Sequence, residues 1–191
     1  MNVLILGPQG AGKGTQAARI AAEYDARHLS TGDLFRAAIA AGTELGQKVK
    51  PLLDSGQLVP DEITVALIRE QLGESPTGWI LDGFPRNLSQ AEALDAMLSE
   101  VAQPLDIIVL LEIADDVARE RMLKRAEIEG RADDTPEVIE RRLATYHEQT
   151  KPVVDYYVAS GKLVQVHGER SIDEVWAEIQ AALDEVEKRA A

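Results

Sequence analysis

Cysteine is missing from all 191 residues. Its absence excludes disulfides and any thiolate zinc site. Basic side chains are scarce beside acidic ones: 20 lysines and arginines face 33 aspartates and glutamates, a net charge of −13. That sign disfavours nucleic-acid backbones and anionic membranes as partners. No apolar run approaches the roughly 20 residues of a membrane span, and none reads as a signal peptide. A soluble, cytoplasmic protein is the expectation. Internal repeats and low-complexity linkers are also missing. So are a Ser-His-Asp arrangement, a nucleophile motif and the guanine-reading Asn-Lys-x-Asp motif. His28, His147 and His167 show no metal-ligand spacing and read as turn or helix residues.

What is present begins with composition. Apolar residues make up 45%, ordinary for a globular chain. The length suits one α/β domain with a full core and small insertions. The most informative stretch is Gly7-Pro8-Gln9-Gly10-Ala11-Gly12-Lys13-Gly14-Thr15. It follows the apolar run Val3–Leu6, which reads as a buried strand, and precedes Gln16–Ala22, which reads as helix. Gly7, Gly12 and Lys13 fit G-x-x-x-x-G-K, a loop whose backbone N–H groups cradle phosphates. The helix N-terminus adds partial positive charge and Lys13 a full one. Gly14 stands where Ser or Thr is usual, so the hydroxyl that would ligate magnesium there is absent. The dinucleotide pattern G-x-G-x-x-G is not met.

Further strands are expected at Arg27–Ser30, Trp79–Asp82, Leu105–Ile113 and Leu163–Val166. Helices are expected over 31–42, 45–55, 61–72, 89–101 and 115–127, with Asp61 capping the third of these. Gly73 to Gly78 reads as a turn-rich break. Thr135-Pro136 reads as an N-cap with proline at the first helical position. That helix runs to Thr150, where Lys151-Pro152 breaks or kinks it. Ser171 to Glu174 matches a capping box before the last helix. Strands alternating with helices imply an α/β fold, a parallel sheet with helices on both faces. Ligands of such sheets lie at the carboxyl ends of strands. The glycine loop, Asp82 and the Gly83–Arg86 loop therefore share one edge.

Asp82 ends an apolar strand, where a carboxylate can hold hydrated Mg2+ beside the loop's phosphates. Arg36, Arg86, Arg121, Arg125, Arg131 and Arg142 fall at the same edge. Arg121 and Arg125 are four apart and share a helix face. Guanidinium groups bind phosphate oxygens bidentately, and so many of them point to two phosphate chains. Arg69, Arg119 and Arg141 read as surface charges. Trp79 and Trp176 read as packing residues.

Together Gly7–Thr15, Ser30-Thr31-Gly32-Asp33, Asp82-Gly83-Phe84-Pro85-Arg86 and Gly130-Arg131-Ala132-Asp133-Asp134 resemble the adenylate kinases. The match runs from Met1 to about Tyr157 and more loosely beyond. The resemblance implies a P-loop NTPase-type core with a five-stranded parallel sheet and two mobile inserts. The core would be 1–29, 60–125 and 137–191. Residues 30–59 would be the AMP-binding insert and 126–136 a short lid. The reaction implied is Mg·ATP + AMP ⇌ Mg·ADP + ADP. By position, Gly10, Ala11, Gly12, Lys13, Gly14 and Thr15 would cradle the ATP phosphates, with Arg121 and Arg125. Arg170, beside Gly168, would meet the ATP adenine. Thr31 and Gln90 would contact the AMP adenine, with Gln57, Leu58 and Val59 beside it. Arg36 and Arg86 would hold the AMP phosphate, on the Gly83-Phe84-Pro85 loop. Arg131 and Arg142 would close on the transferring phosphoryl. Lys13, Arg86, Arg121, Arg125, Arg131 and Arg142 form the implied catalytic set. Only Ala126 to Gly130 lies between Arg125 and Arg131, so the lid is short and no structural zinc is expected. The implied partners are ATP, AMP and ADP, with the protein a monomer. UMP or CMP as acceptor, a nucleotide switch and a non-catalytic ATP binder stay as alternatives. Thr31 and Gln90 weigh toward adenine, because relatives acting on pyrimidines commonly carry Ala and Asn there.

Overall fold

The central strands carry apolar residues at successive positions because both sheet faces are covered there. In the computed structural model, residues 1–73, 78–131 and 133–190 are described. They include β1 (Asn2–Leu6), β2 (Arg27–Ser30), β3 (Trp79–Asp82), β4 (Ile107–Glu112) and β5 (Leu163–His167). The five strands pair in parallel, in the order β2-β3-β1-β4-β5. Alternate side chains go to opposite faces. Leu4, Leu81 and Ile108 pack on one face under α4 (Asp61–Gly73), α5 (Leu88–Glu100) and α8 (Lys151–Val158). Ile5, Ile80 and Val109 pack on the other under α1 (Lys13–Glu23) and α9 (Ile172–Ala190). Trp79 is fully buried in the first layer, its indole N–H donating to Gln103 Oε1 at 3.0 Å. β1 lies centrally, and the connection from β3 to β4 passes across it. The carboxyl ends of β1, β3 and β4 thus frame the crevice where such sheets bind ligands.

Two pieces stand apart from these cores. α2 (Thr31–Ala40) and α3 (Glu44–Asp54) close on a small cluster of Phe35, Val49 and Val59. α6 (Asp115–Glu129) and α7 (Pro136–Thr145) share Ala118, Met122, Ile139 and Leu143. Their start signals act as the sequence predicts. Thr135 Oγ1 accepts from Val138 N at 3.3 Å, ahead of Pro136. Ser171 and Glu174 exchange both bonds of the capping box.

Three expectations change. The helix after Thr135 does not break at Lys151-Pro152. α7 ends at Thr145, a single π-helical turn covers Tyr146–Thr150, and α8 continues through the proline. The Lys151 N–H reaches back five residues to Tyr146 O. The wider turn gives room for a proline ring that has no N–H to offer. Asp61 is the first residue of α4 rather than a cap outside it, and its side chain bonds across to α5. His28 lies on β2 and His167 at the end of β5, while His147 sits in the π turn against Asp115. Residues 74–77 of the expected break, and Ala132 of the Gly130–Asp134 motif, lie outside the described residues.

Candidate functional site

The glycine loop leaves β1 and turns into α1. Gly12 adopts φ +89° at the N-cap, a left-handed conformation costly for residues with a Cβ. Gly10 lies so close to α6 that an added Cβ would sit 2.7 Å from the Ala118 carbonyl oxygen. The loop thus approaches a helix more than a hundred residues away in sequence, and Gly10 has no room for a side chain. Gly10, Gly12, Lys13, Gly14 and Thr15 form one wall of a cavity of about 620 Å³. Arg36, Arg86, Arg121, Arg125, Arg131 and Arg142 all line the same cavity.

Lys13 Nζ donates to the carbonyls of Gly7 and Pro8, each at 2.8 Å. Loss of solvent pulls its ammonium down to about pKa 8; Asp82 opposes the fall, and Arg86 and Arg125 add to it. Burial likewise pulls Arg86 below its ordinary range, against the Asp82 charge. Cations held together without solvent favour any polyanion that enters. Until then local carboxylates offset them. Arg36 pairs with Asp33 at 2.5 Å and Arg131 with Glu129 at 2.5 Å. Asp134, whose side chain is wholly buried, accepts from Arg125 Nε and Nη2 at 2.8 and 2.7 Å and from Arg142 Nη1. Asp133 accepts from Arg142 Nη2 at 2.6 Å. Burial alone would raise the Asp133 carboxyl, but the Arg142 bond and charge outweigh it and hold it below the usual range.

Asp82 reaches the cavity from the end of β3. Among the described residues no donor hydrogen-bonds its carboxylate; His28 Nε2 is the nearest partner, 3.6 Å from Oδ2, and itself has no hydrogen bond. Gly14 faces it, since an added Cβ would sit 3.7 Å from Oδ2. A single free carboxylate opposite a phosphate loop fits Mg2+, which takes one or two carboxylates and completes its shell with water and phosphate. Among the described residues there is no group of three or more His, Cys, Asp or Glu that could hold a metal by themselves.

Thr31, Gln57, Leu58, Val59, Gly83 and Gln90 also line the cavity, at the α2–α3 side. Thr31 Oγ1 donates to the Gly83 carbonyl at 2.9 Å. The Arg86 guanidinium donates to the same carbonyl through Nε at 2.7 Å. The Gly83–Arg86 loop is held in shape around a cis Phe84–Pro85 peptide.

Four expected residues are not on the cavity wall. Ala11 is buried, Phe84 is fully buried in the sheet core, and Pro85 is buried beside it. Arg170 turns outward to Glu178 on α9 and to His167 O. Arg121 instead reaches the 168–170 segment, donating to Gly168 O at 2.8 Å. Arg141 is exposed, as expected, and donates to Ser55 O at 2.5 Å, tying α7 to the end of α3. Arg69 and Arg119 do form exposed ion pairs, with Glu100 and Glu140. The sequence reading missed Asp134, Phe35 and Thr64 as well as the cavity position of His28. Asp134 stands in the Gly130–Asp134 motif itself, which was the available signal for it. Nothing local marked the others.

A glycine-and-lysine loop at the carboxyl edge of a five-stranded parallel sheet, faced across one cavity by six arginines, defines a P-loop NTPase-type fold. The family model described as adenylate kinase matches residues 5–162. An adenylate kinase of Thermus thermophilus is 51% identical over 181 residues, covering 95% of this chain and 96% of its own. That of Stenotrophomonas maltophilia K279a is 47% identical over 185 residues, covering 96% and 99%. That of Synechococcus sp. RCC307 is 50% identical over 181 residues, covering 95% and 97%. The chain belongs to the adenylate kinase family.

Proposed function

We infer that the protein transfers the terminal phosphoryl of Mg·ATP to AMP, reversibly, giving ADP on both sides. One observation carries the reading: a single cavity is lined by the Lys13 loop on one side and six arginines on the other. A triphosphate on the loop and a monophosphate on Arg36 and Arg86 would bring like charges together, and the arginine wall offsets that repulsion. The protein's contribution is positioning and charge stabilisation, and no nucleophilic side chain is needed. The AMP phosphate attacks the γ-phosphorus and the bond to the β-bridging oxygen breaks. Lys13, Arg121 and Arg125 hold the donor chain, and Arg86, Arg131 and Arg142 hold the reacting phosphoryl and its acceptor. Asp82 would hold Mg2+ through water, and Mg2+, when bound, neutralises charge on the phosphate oxygens. Thr31 and Gln90, with the Gln57–Val59 strip, take the AMP base.

Residues 30–59 and 126–136 are the moving parts in this reading. The cluster of Phe35, Val49 and Val59 inside 30–59, separate from the two sheet cores, supports the first of them. Closure excludes water that would otherwise hydrolyse ATP. The protein works as a cytoplasmic monomer, with neither nucleic acid nor membrane as partner. The acidic balance supports the last point. Among the described residues no helix is long and apolar enough to cross a membrane.

Coupled detection of ADP tests the reading. ADP is expected from ATP plus AMP, far less from ATP plus UMP or CMP, and almost none from ATP alone. Equal ADP with and without AMP would replace the transfer with simple hydrolysis.

A further inference from the structure

We propose that Asp61 determines base selectivity at the monophosphate site by fixing which way the Gln90 amide faces. The proposal rests on the reading of Gln90 as the residue that meets the acceptor base. Gln90 is almost fully buried and lines the cavity. Its Oε1 accepts from the Arg86 backbone N–H at 2.8 Å. Its Nε2 donates to Asp61 Oδ1 at 2.8 Å. Each partner is unambiguous, because a backbone N–H only donates and an ionised carboxylate only accepts. The amide therefore has one stable orientation.

The rest of the network holds those partners still. Arg86 is also held at its carbonyl, to which Thr150 Oγ1 donates at 2.8 Å. Asn87 Nδ2 donates to the same Asp61 oxygen at 2.9 Å, and Asn87 Oδ1 accepts from the Gln90 backbone N–H at 2.9 Å. Asp61 comes from α4 and Gln90 from α5, so no local pattern joins them.

An amide has two lone pairs on oxygen and two hydrogens on nitrogen. Here one of each is used, leaving one acceptor and one donor for a base. An acceptor beside a donor matches the N6 amino group and N1 of adenine. A 6-oxo purine presents the reverse, an O6 acceptor and an N1–H donor. To meet it the amide must flip. Flipping would turn Oε1 onto the Asp61 carboxylate and Nε2 onto the Arg86 N–H. A site built to bond one pattern rejects the other because its buried polar groups are left unpaired. Asp61 touches no substrate in this scheme and is a positioning residue.

The test compares AMP with inosine monophosphate as acceptor, as a ratio of kcat/KM. The ratio is internal to one sample and so does not depend on the active fraction. Asp61→Ser and Asp61→Leu remove the fixed acceptor. Both are expected to lower the AMP:IMP ratio at least tenfold, mainly through KM for AMP. Asp61→Asn keeps a carbonyl oxygen for both amides and is expected to retain most of the wild-type ratio. A ratio within twofold of wild type in both Asp61→Ser and Asp61→Leu would overturn the proposal. Gln90→Leu separates the two levels. It should collapse the ratio; if it does not, Gln90 does not read the base and the underlying site reading fails first.

Discussion

The loop wall of the cavity comes from one continuous stretch, Gly7 to Thr15, and works largely through backbone. The arginine wall is assembled from α2, the Gly83–Arg86 loop, α6 and α7, and works through long side chains. The loop is anchored on the central strand, and Lys13 donates to its carbonyls with the Asp82 charge nearby. Four of the arginines pair with Asp33, Glu129, Asp133 and Asp134, while Arg86 and Arg121 donate to the carbonyls of Gly83 and Gly168. In the proposed reading one wall is a fixed cradle and the other is mixed: Arg36 and Arg131 lie on the inserts 30–59 and 126–136, while Arg86, Arg121, Arg125 and Arg142 lie on the core.

The largest expected effect breaks both walls alike at the chemical step. Removing one preorganised donor to a transition state costs about 2.7–4 kcal/mol. Lys13→Met and Arg86→Ala are each expected to lower kcat at least about a hundredfold. Near-normal turnover in both, in the ADP assay, would refute their roles.

Asp134→Ala sharpens the contrast in stability. It strands Arg125 and Arg142 beside each other with one carboxylate gone. Breaking a buried pair typically costs about 3–5 kcal/mol. The lower end, about 3 kcal/mol, is expected in denaturant unfolding, because Arg125 keeps a quarter of its side chain in solvent. No glycine-loop substitution acts through the same carboxylate. A change under about 1 kcal/mol would mean that the arginine wall does not depend on this carboxylate.

The smallest effect is a proton. Lys13 holds its proton only up to about pH 8 in the unliganded protein, against 10.5 ordinarily. Between those values the unfolded chain binds the proton that the folded protein has lost, so rising pH favours the folded unliganded state. A phosphate chain on the loop should restore the proton. Binding of the bisubstrate analogue Ap5A at pH 9 is therefore expected to take up close to one proton. Titration calorimetry in buffers of different ionisation enthalpy reads this. Uptake should vanish near pH 6.5 and in Lys13→Met; equal uptake in Lys13→Met would remove the lysine from the account.

The same contrast explains what could be read from the chain alone. The loop was legible because its chemistry depends on local spacing, a strand, glycines, a lysine and a helix. The sheet was legible because its central strands β1, β3 and β4 are nearly continuous apolar runs. The cationic side chains of the second wall were legible as residues, but their counter-charges were not. Asp134 meets Arg125 across the gap between α6 and α7, and Asp61 meets Gln90 from another helix. Phe84 sits within a site motif yet its side chain serves the sheet core, which only the packing of distant elements decides. Arg170 is drawn outward by Glu178, on the second turn of α9, which local sequence did not reveal. The π turn at Tyr146–Thr150 depends on how a helix accommodates a proline while still packing on the core.

The claim that residues 30–59 and 126–136 move against a fixed core has a direct measurement. Fluorophore pairs would report two distances, from the sheet core to residues 30–59 and from the core to residues 126–136, without and with Ap5A. Both distances are expected to shorten on binding, while a control pair between β1 and α9 stays constant. Two unchanged distances at saturating Ap5A would contradict the account.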